Sequence, residues 1–245
     1  MKNLGQLIFD LDGTLLDTME LHARVFSHIL ERFGADGEFS RRYYLETAGE
    51  SLAKQFRDVL QRYGLQDVGI KGLIEGFDQR VMEVLERKKQ NILFADVEAT
   101  LPIFQEAGYR LMVSSSGTSM LVKAKLKYSK LWGYFSIVLG SDDDNGLSKG
   151  ETHFQEMIEQ LDMPVEEFNE TSVMIGDGLH DMRVGKEQGL VTIRRLGWAD
   201  QDETIDDFTD FVIHNFNELL GLLKDDEGSF KPVRWLRRKR DLREE

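Results

Sequence analysis

The chain has 245 residues, 41% of them apolar and 31% charged, with no cysteine and a formal net charge of −13. That length suits one large domain or a core with an inserted lobe, and the composition excludes a disordered chain or a membrane span, since no run approaches the roughly 20 apolar residues needed to cross a bilayer. Without cysteine there is no disulfide or thiolate chemistry, and so acidic a surface repels a nucleic-acid backbone, leaving any anionic substrate in need of a local cation.

Met1–Asp10 carries one lysine and runs straight into an apolar stretch, without the pattern of an export signal, so a cytoplasmic protein is expected. Leu7–Leu11 reads as the first strand. From Thr18 to Lys89 only helical patterns follow. Leu21, Val25, Phe26, Ile29, Leu30 and Phe33 form the first apolar face, and segments around Leu52–Tyr63 and Leu73–Lys88 continue beyond the breaks at Gly34–Gly37 and Gly64–Gly72. Strands and helices then alternate: helix Val97–Glu106, strand Arg110–Ser114, helix Ser119–Lys127, strand Ser136–Gly140, helix Thr152–Leu161 and strand Ser172–Ile175. Helix His180–Gln188, strands Leu190–Arg194 and Phe211–His214, and helix Asn215–Leu223 complete the series. The strands are short apolar runs without strict alternation, as in a parallel sheet buried on both faces. Gly108 and Gly189 each stand where a helix ends.

This order predicts an α/β fold with a doubly wound, mostly parallel Rossmann-like core sheet and an inserted all-helical domain. The expected division is a core of residues 1–17 and 90–225, an insert of 18–89, and a basic extension of 226–245. The extension, Arg- and Lys-rich from Lys231 to Arg240, is expected to be solvated, partly ordered and unnecessary to the core.

The sharpest motif is Phe9-Asp10-Leu11-Asp12-Gly13-Thr14, at the carboxyl end of the first strand, where open α/β sheets place their ligands. Two carboxylates one residue apart, with a glycine beyond, direct one of them at a metal while the backbone turns; an acidic strand-end turn is the plain alternative. Gly176-Asp177-Gly178-Leu179-His180-Asp181 follows a second strand and opens a helix, so Asp177 and Asp181 join the first pair if the two strands are neighbours. An N-cap explains one of these aspartates but not the set. Three or four carboxylate oxygens with no cysteine point to Mg²⁺ above Zn²⁺. Ser114-Ser115-Ser116-Gly117 offers hydroxyls and N–H groups to an anion, or an ordinary serine-rich cap. Lys149, taken alone, reads as solvated surface. Asp142–Gly146 lacks the calcium-loop pattern and reads as an exposed acidic turn.

Together these motifs resemble the haloacid dehalogenase superfamily of phosphatases and mutases, and the helical insert resembles the cap of its phosphoglycolate phosphatase and β-phosphoglucomutase-like branch. The resemblance implies that Asp10 attacks phosphorus to form an aspartyl-phosphate, while Asp12 is general acid and then general base. It implies Mg²⁺ held by the carboxylates of Asp10 and Asp177 and the backbone carbonyl of Asp12. Ser114 and Ser115 would bind the phosphoryl group, Lys149 would balance its charge, and Asp181, Gly13 and Thr14 would support the site. Three positions depart from common forms: Gly150 stands where many relatives have proline, Gly178 where serine is frequent, and His180 where asparagine is common. Gly150 suggests a more mobile Lys149 loop, and His180 reads as a plain helix-start residue. Thr47–Ser51 resembles a cap loop facing the site, and Arg41, Arg42 and Lys54 are nearby cations for a second anionic group, or else solvated surface.

The implied function is Mg²⁺-dependent hydrolysis of a small phosphate monoester, of the sugar phosphate or phosphoglycolate type. A phosphomutase, a phosphonatase using a cap lysine, and a non-catalytic binding module are the alternatives. The expected partner is a small phosphorylated metabolite, with no nucleic acid and no membrane; the oligomeric state is open.

Overall fold

A computed structural model describes residues 3–88, 91–142, 145–197 and 206–244. Asp143 and Asp144 of the expected acidic turn lie outside the described residues. Among the described residues six strands form one parallel sheet: β1 (Gln6–Phe9), β2 (Arg110–Thr118), β3 (Ile137–Ser141), β4 (Ser172–Gly176), β5 (Val191–Arg195) and β6 (Phe211–Ile213). Their order is β3-β2-β1-β4-β5-β6, so the winding reverses between β1 and β4. At such a switch point the loops on either side diverge and leave a crevice.

Side chains alternate across the strands. Leu7 and Phe9, Leu111 and Val113, and Val173 and Ile175 face the larger core cluster, whereas Ile8, Met112 and Met174 face a smaller one on the opposite side. Helices cover both faces, which is why the strands read as unbroken apolar runs. The larger cluster takes Leu101 and Phe104 from α5 (Ala95–Ala107), Leu121, Val122 and Leu126 from α6 (Ser119–Tyr128), and Phe216 and Leu219 from α10 (Phe216–Leu222). The smaller takes Phe154 and Met157 from α7 (Glu151–Leu161), Phe168 from α8 (Val165–Thr171) and Val184 from α9 (Leu179–Glu187). Helix α8 was not expected; it is one acidic pair of turns that buries a single residue, too little to leave an apolar period.

Between β1 and α5 the described chain is helical: α1 (Met19–Glu31), α2 (Gly37–Glu46), α3 (Leu52–Arg62) and α4 (Ile70–Lys88). Phe26 of α1 stacks on Phe56 of α3 with ring centroids 4.6 Å apart, and Tyr44 of α2 lies 5.2 Å from Phe26. The chain leaves and re-enters the sheet region side by side, with Leu16 bridged antiparallel to Leu93 and the Asp17 N–H donating to the Ile92 carbonyl at 2.8 Å.

The C-terminal stretch corrects an expectation. Arg234–Glu244 forms helix α11, and Val233 and Leu236 are fully buried in the larger cluster. The Val233 N–H donates to the Leu4 carbonyl at 2.8 Å, and the Tyr109 hydroxyl donates to the Lys231 carbonyl. The basic side chains hid two core positions spaced three apart, Val233 just before the helix and Leu236 in its first turn. No helix among the described residues is long and apolar enough to cross a membrane.

Candidate active site

Because β1 and β4 are neighbours in register, with Phe9 opposite Ile175, the residues just beyond them meet. The Asp10 N–H donates to the Ile175 carbonyl at 2.8 Å. Carboxylate oxygens of Asp10, Asp177 and Asp181 lie within 4.8 Å of one another. Gly13 makes this approach possible: its φ is +88°, and a Cβ there would stand 2.2 Å from Asp177 Oδ2. The Thr14 hydroxyl donates to Asp177 Oδ1 at 3.1 Å. Asp181, buried at the start of α9, accepts from the Gly178 N–H at 3.0 Å.

Lys149 closes the cluster from below. Its ammonium lies 2.5 Å from Asp10 Oδ1 and forms an ion pair with Asp181. Burial disfavours the ammonium, but Asp10 and Asp181 outweigh it and raise the lysine pKa. Gly150 after it has a φ of +113°, which proline cannot adopt, so the departure at this position sets a defined backbone shape for α7 to start from. Burial, first of all, pushes the Asp10 carboxyl up to about 7; Lys149 pulls against this, while Asp181 and Asp12 add to it. Asp177 is raised too, by burial and then by Asp10 and Asp181. Crowded carboxylates that repel one another, with oxygen donors only, fit a hard divalent cation such as Mg²⁺.

Asp12 has a different environment. Lys125 of α6 places Nζ 2.6 Å from Oδ1 and 2.5 Å from Oδ2, and the Thr18 hydroxyl donates to Oδ1 at 2.5 Å instead of capping α1. His22 Nε2 stands 3.8 Å from Oδ1, and His22 Nδ1 is 3.2 Å from the Tyr44 hydroxyl. Burial would raise the Asp12 pKa, yet Lys125, His22 and Thr18 together bring it down to about 2. Burial also lowers His22 to about 4, leaving it neutral near pH 7.

The expected phosphoryl-binding serines divide by strand parity. Ser114 keeps the face of Met112 and is fully buried, its hydroxyl 2.9 Å from His153 Nδ1 of α7. Ser115, one residue on, lines the cavity between the sheet and helices α1–α4. That cavity measures about 60 Å³ and is also lined by Asp10, Asp12, Asp177, His22, Phe77 and Asp78. Two hydrogen bonds tie its walls together: the Ser116 hydroxyl donates to the Gly49 carbonyl at 2.6 Å, and the Thr118 hydroxyl donates to Asp78 of α4. Asp78 is buried, which pushes its carboxyl up to about 6 against the pull of Thr118 and Lys125.

The Thr47–Ser51 loop does reach the site, with Ala48, Gly49 and Glu50 on the cavity wall, and His180 packs close against Gly49. The nearby cations do not. Arg41 pairs with Glu20 at 2.6 Å, Arg42 approaches Glu46 at 3.6 Å and Lys54 pairs with Asp58 at 3.0 Å, all on the surface. Lys125, His22, Thr18 and Asp78 escaped the sequence motifs. Their signal was polarity inside an apolar stripe: Lys125 falls among Leu121, Val122 and Leu126, and Asp78 between Phe77 and Val81.

A profile of the family described as haloacid dehalogenase-like hydrolase matches residues 7–194. The chain is 26% identical over 226 residues to the pyrophosphatase PpaX of Listeria welshimeri, covering 90% of this chain and 97% of that one. Its fold is similar to that of CbbY from Rhodobacter sphaeroides in complex with phosphate, with a TM-score of 0.69, 22% identity, and coverage of 88% and 96%. It is likewise similar to the HAD-hydrolase YfnB of Bacillus subtilis bound to magnesium, with a TM-score of 0.65, 19% identity, and coverage of 91% and 100%. With most of its length matched by the profile, this chain belongs to the haloacid dehalogenase-like hydrolase family and is an enzyme of the phosphatase type.

Proposed function

We propose that this enzyme is a Mg²⁺-dependent phosphatase that hydrolyses a small phosphate monoester through a phosphorylated Asp10. The observation that carries the reading is the placement of Asp10: it stands at the sheet's switch point, on the cavity wall, fixed by Lys149 and beside Asp177. An Asp10 oxygen attacks phosphorus as the bond to the substrate alcohol breaks; water then attacks the acyl phosphate, releasing phosphate and restoring the carboxylate. Asp12 protonates the departing alcohol and later accepts the proton of the attacking water. Its ion pair with Lys125 favours the basic form, so the acid half of the cycle requires that pair to shift when substrate fills the cavity. Ser115 donates to the phosphoryl group, Lys149 balances charge around Asp10, and Asp181 holds Lys149 in place.

Asp10, Asp177 and the Asp12 backbone carbonyl would hold Mg²⁺, with Asp181 close by. The ion supplies the positive charge that lets an anionic nucleophile meet an anionic phosphate. The magnesium-bound relative from Bacillus subtilis supports this choice. Residues 18–89 act as a cap over the core of 1–17 and 90–225, excluding water during the transfer.

The test is phosphate release from a panel of metabolite phosphates. Release is expected to need Mg²⁺, to stop on chelation, and to fall by at least about a thousandfold in Asp10→Asn. Undiminished turnover in Asp10→Asn would end the proposal. Isomerisation without net phosphate release would instead identify a mutase on the same chemistry.

A further inference from the structure

The leaving-group side of the cavity has an unusual charge pattern. Lys149 is held between Asp10 and Asp181, and Lys125, wholly buried, is engaged by both oxygens of Asp12. His22 Nε2 faces Asp12 Oδ1 at 3.8 Å, and the Gln55 amide is committed to Thr47 at 3.0 and 2.9 Å. No other lysine or arginine lines this wall among the described residues, whereas Glu50 and Asp78 both do. Asp78 is only 3% exposed; its Oδ2 accepts from Thr118 and its Oδ1 has no partner. A buried carboxylate oxygen without a donor carries a desolvation cost that a ligand N–H or O–H would relieve. A second phosphate or a carboxylate on the substrate would meet two acidic groups and no free cation.

We infer that the substrate's leaving alcohol bears a hydrogen-bond donor, an ammonium or a hydroxyl, and no second acidic group, and that Asp78 accepts from that donor. This rests on the phosphatase reading for its chemistry, but the pocket's preference is measurable without turnover. It also separates this chain from an enzyme acting on pyrophosphate or a sugar bisphosphate, whose leaving groups are anionic.

The experiment uses the full-length, Mg²⁺-loaded protein and four esters: phosphoethanolamine, glycerol 3-phosphate, phosphoglycolate and fructose 1,6-bisphosphate. Wild-type kcat/KM is expected to favour the better of the first two over both acidic esters by at least about tenfold. Asp78→Leu, which removes the acceptor, is expected to erase that preference. Asp78→Asn, nearly isosteric and a second route should the leucine variant misfold, distinguishes the donors. An ammonium substrate loses at least about tenfold because it loses a charge partner, whereas a hydroxyl substrate loses less because the amide oxygen still accepts. In parallel, calorimetry on Asp10→Asn reads binding of the same esters. Preferential binding of a donor-bearing ester with no wild-type turnover would keep the inference and remove the phosphatase reading. Equal or better use of the acidic esters, an unchanged preference in both Asp78 variants, or no binding of either donor ester at millimolar concentration would overturn the inference.

Discussion

Lys125 and Asp12 lie on separate elements, 113 residues apart, yet the lysine grips both carboxylate oxygens at 2.6 and 2.5 Å with no side-chain exposure of its own. The pair sets the protonation state of Asp12. A carboxyl held down at about 2 contributes stability that is complete above its unfolded value and is lost as pH falls through about 2.

In Lys125→Met the Asp12 carboxyl is left buried without its counter-charge. Its pKa is expected to rise, moving upward by about one unit or more the alkaline limb of the kcat/KM profile, which the general acid of the first step sets, with a loss of roughly 3–5 kcal/mol in stability. A pH–rate profile and urea unfolding check both effects. An unmoved alkaline limb would mean that Asp12 does not govern it.

The pH dependence of metal-free stability should have the opposite sign. Asp10, ordinarily near 3.8, is pushed up to about 7, so the folded protein holds this proton more tightly than the unfolded chain does. Its contribution to stability therefore declines as pH rises from about 4 to about 7. Mg²⁺ replaces the proton, and so the rise in Tm on adding millimolar Mg²⁺ is expected to be larger at pH 7.5 than at pH 5. Thermal scans with and without the ion at both pH values measure it; equal shifts would argue against a metal at Asp10 and Asp177.

Leu236 is fully buried although it sits within the basic C-terminal stretch. Leu236→Ala is expected to cost about 2–5 kcal/mol, while the exposed neighbour change Arg238→Ala stays within about 0.5 kcal/mol. Chemical denaturation of the two variants distinguishes a core element from a dispensable tail.

Gly150 occupies a backbone conformation closed to proline. Gly150→Pro is expected to displace the Lys149 ammonium, lowering kcat by at least about tenfold, with a stability loss of roughly 1–3 kcal/mol. Steady-state kinetics alongside a melting curve separates the two contributions.

The sheet and the acidic cluster were legible because each rests on a local rule: apolar runs for buried strands, and Asp-Gly turns at strand ends. The Asp10, Asp177 and Asp181 convergence needed only that β1 and β4 be adjacent. Ser114 and Ser115 could not be told apart until strand parity was fixed, since a one-residue difference decides which of them is turned toward His153 and which lines the cavity. Lys125 and Asp78 depend on how α6 and α4 pack against the sheet ends, a long-range relationship that no spacing within either helix encodes. Helix α11 was hidden by its own charge, because arginine and lysine around Val233 and Leu236 outweigh two apolar positions in any composition window.

The nine-residue strand β2 ends in a stretch that lines the cavity, where the Ser116 hydroxyl also bonds to Gly49 in the α2–α3 loop and the Thr118 hydroxyl to Asp78 of α4. The strand end that lines the cavity is therefore the same stretch that is hydrogen-bonded to both the α2–α3 loop and α4.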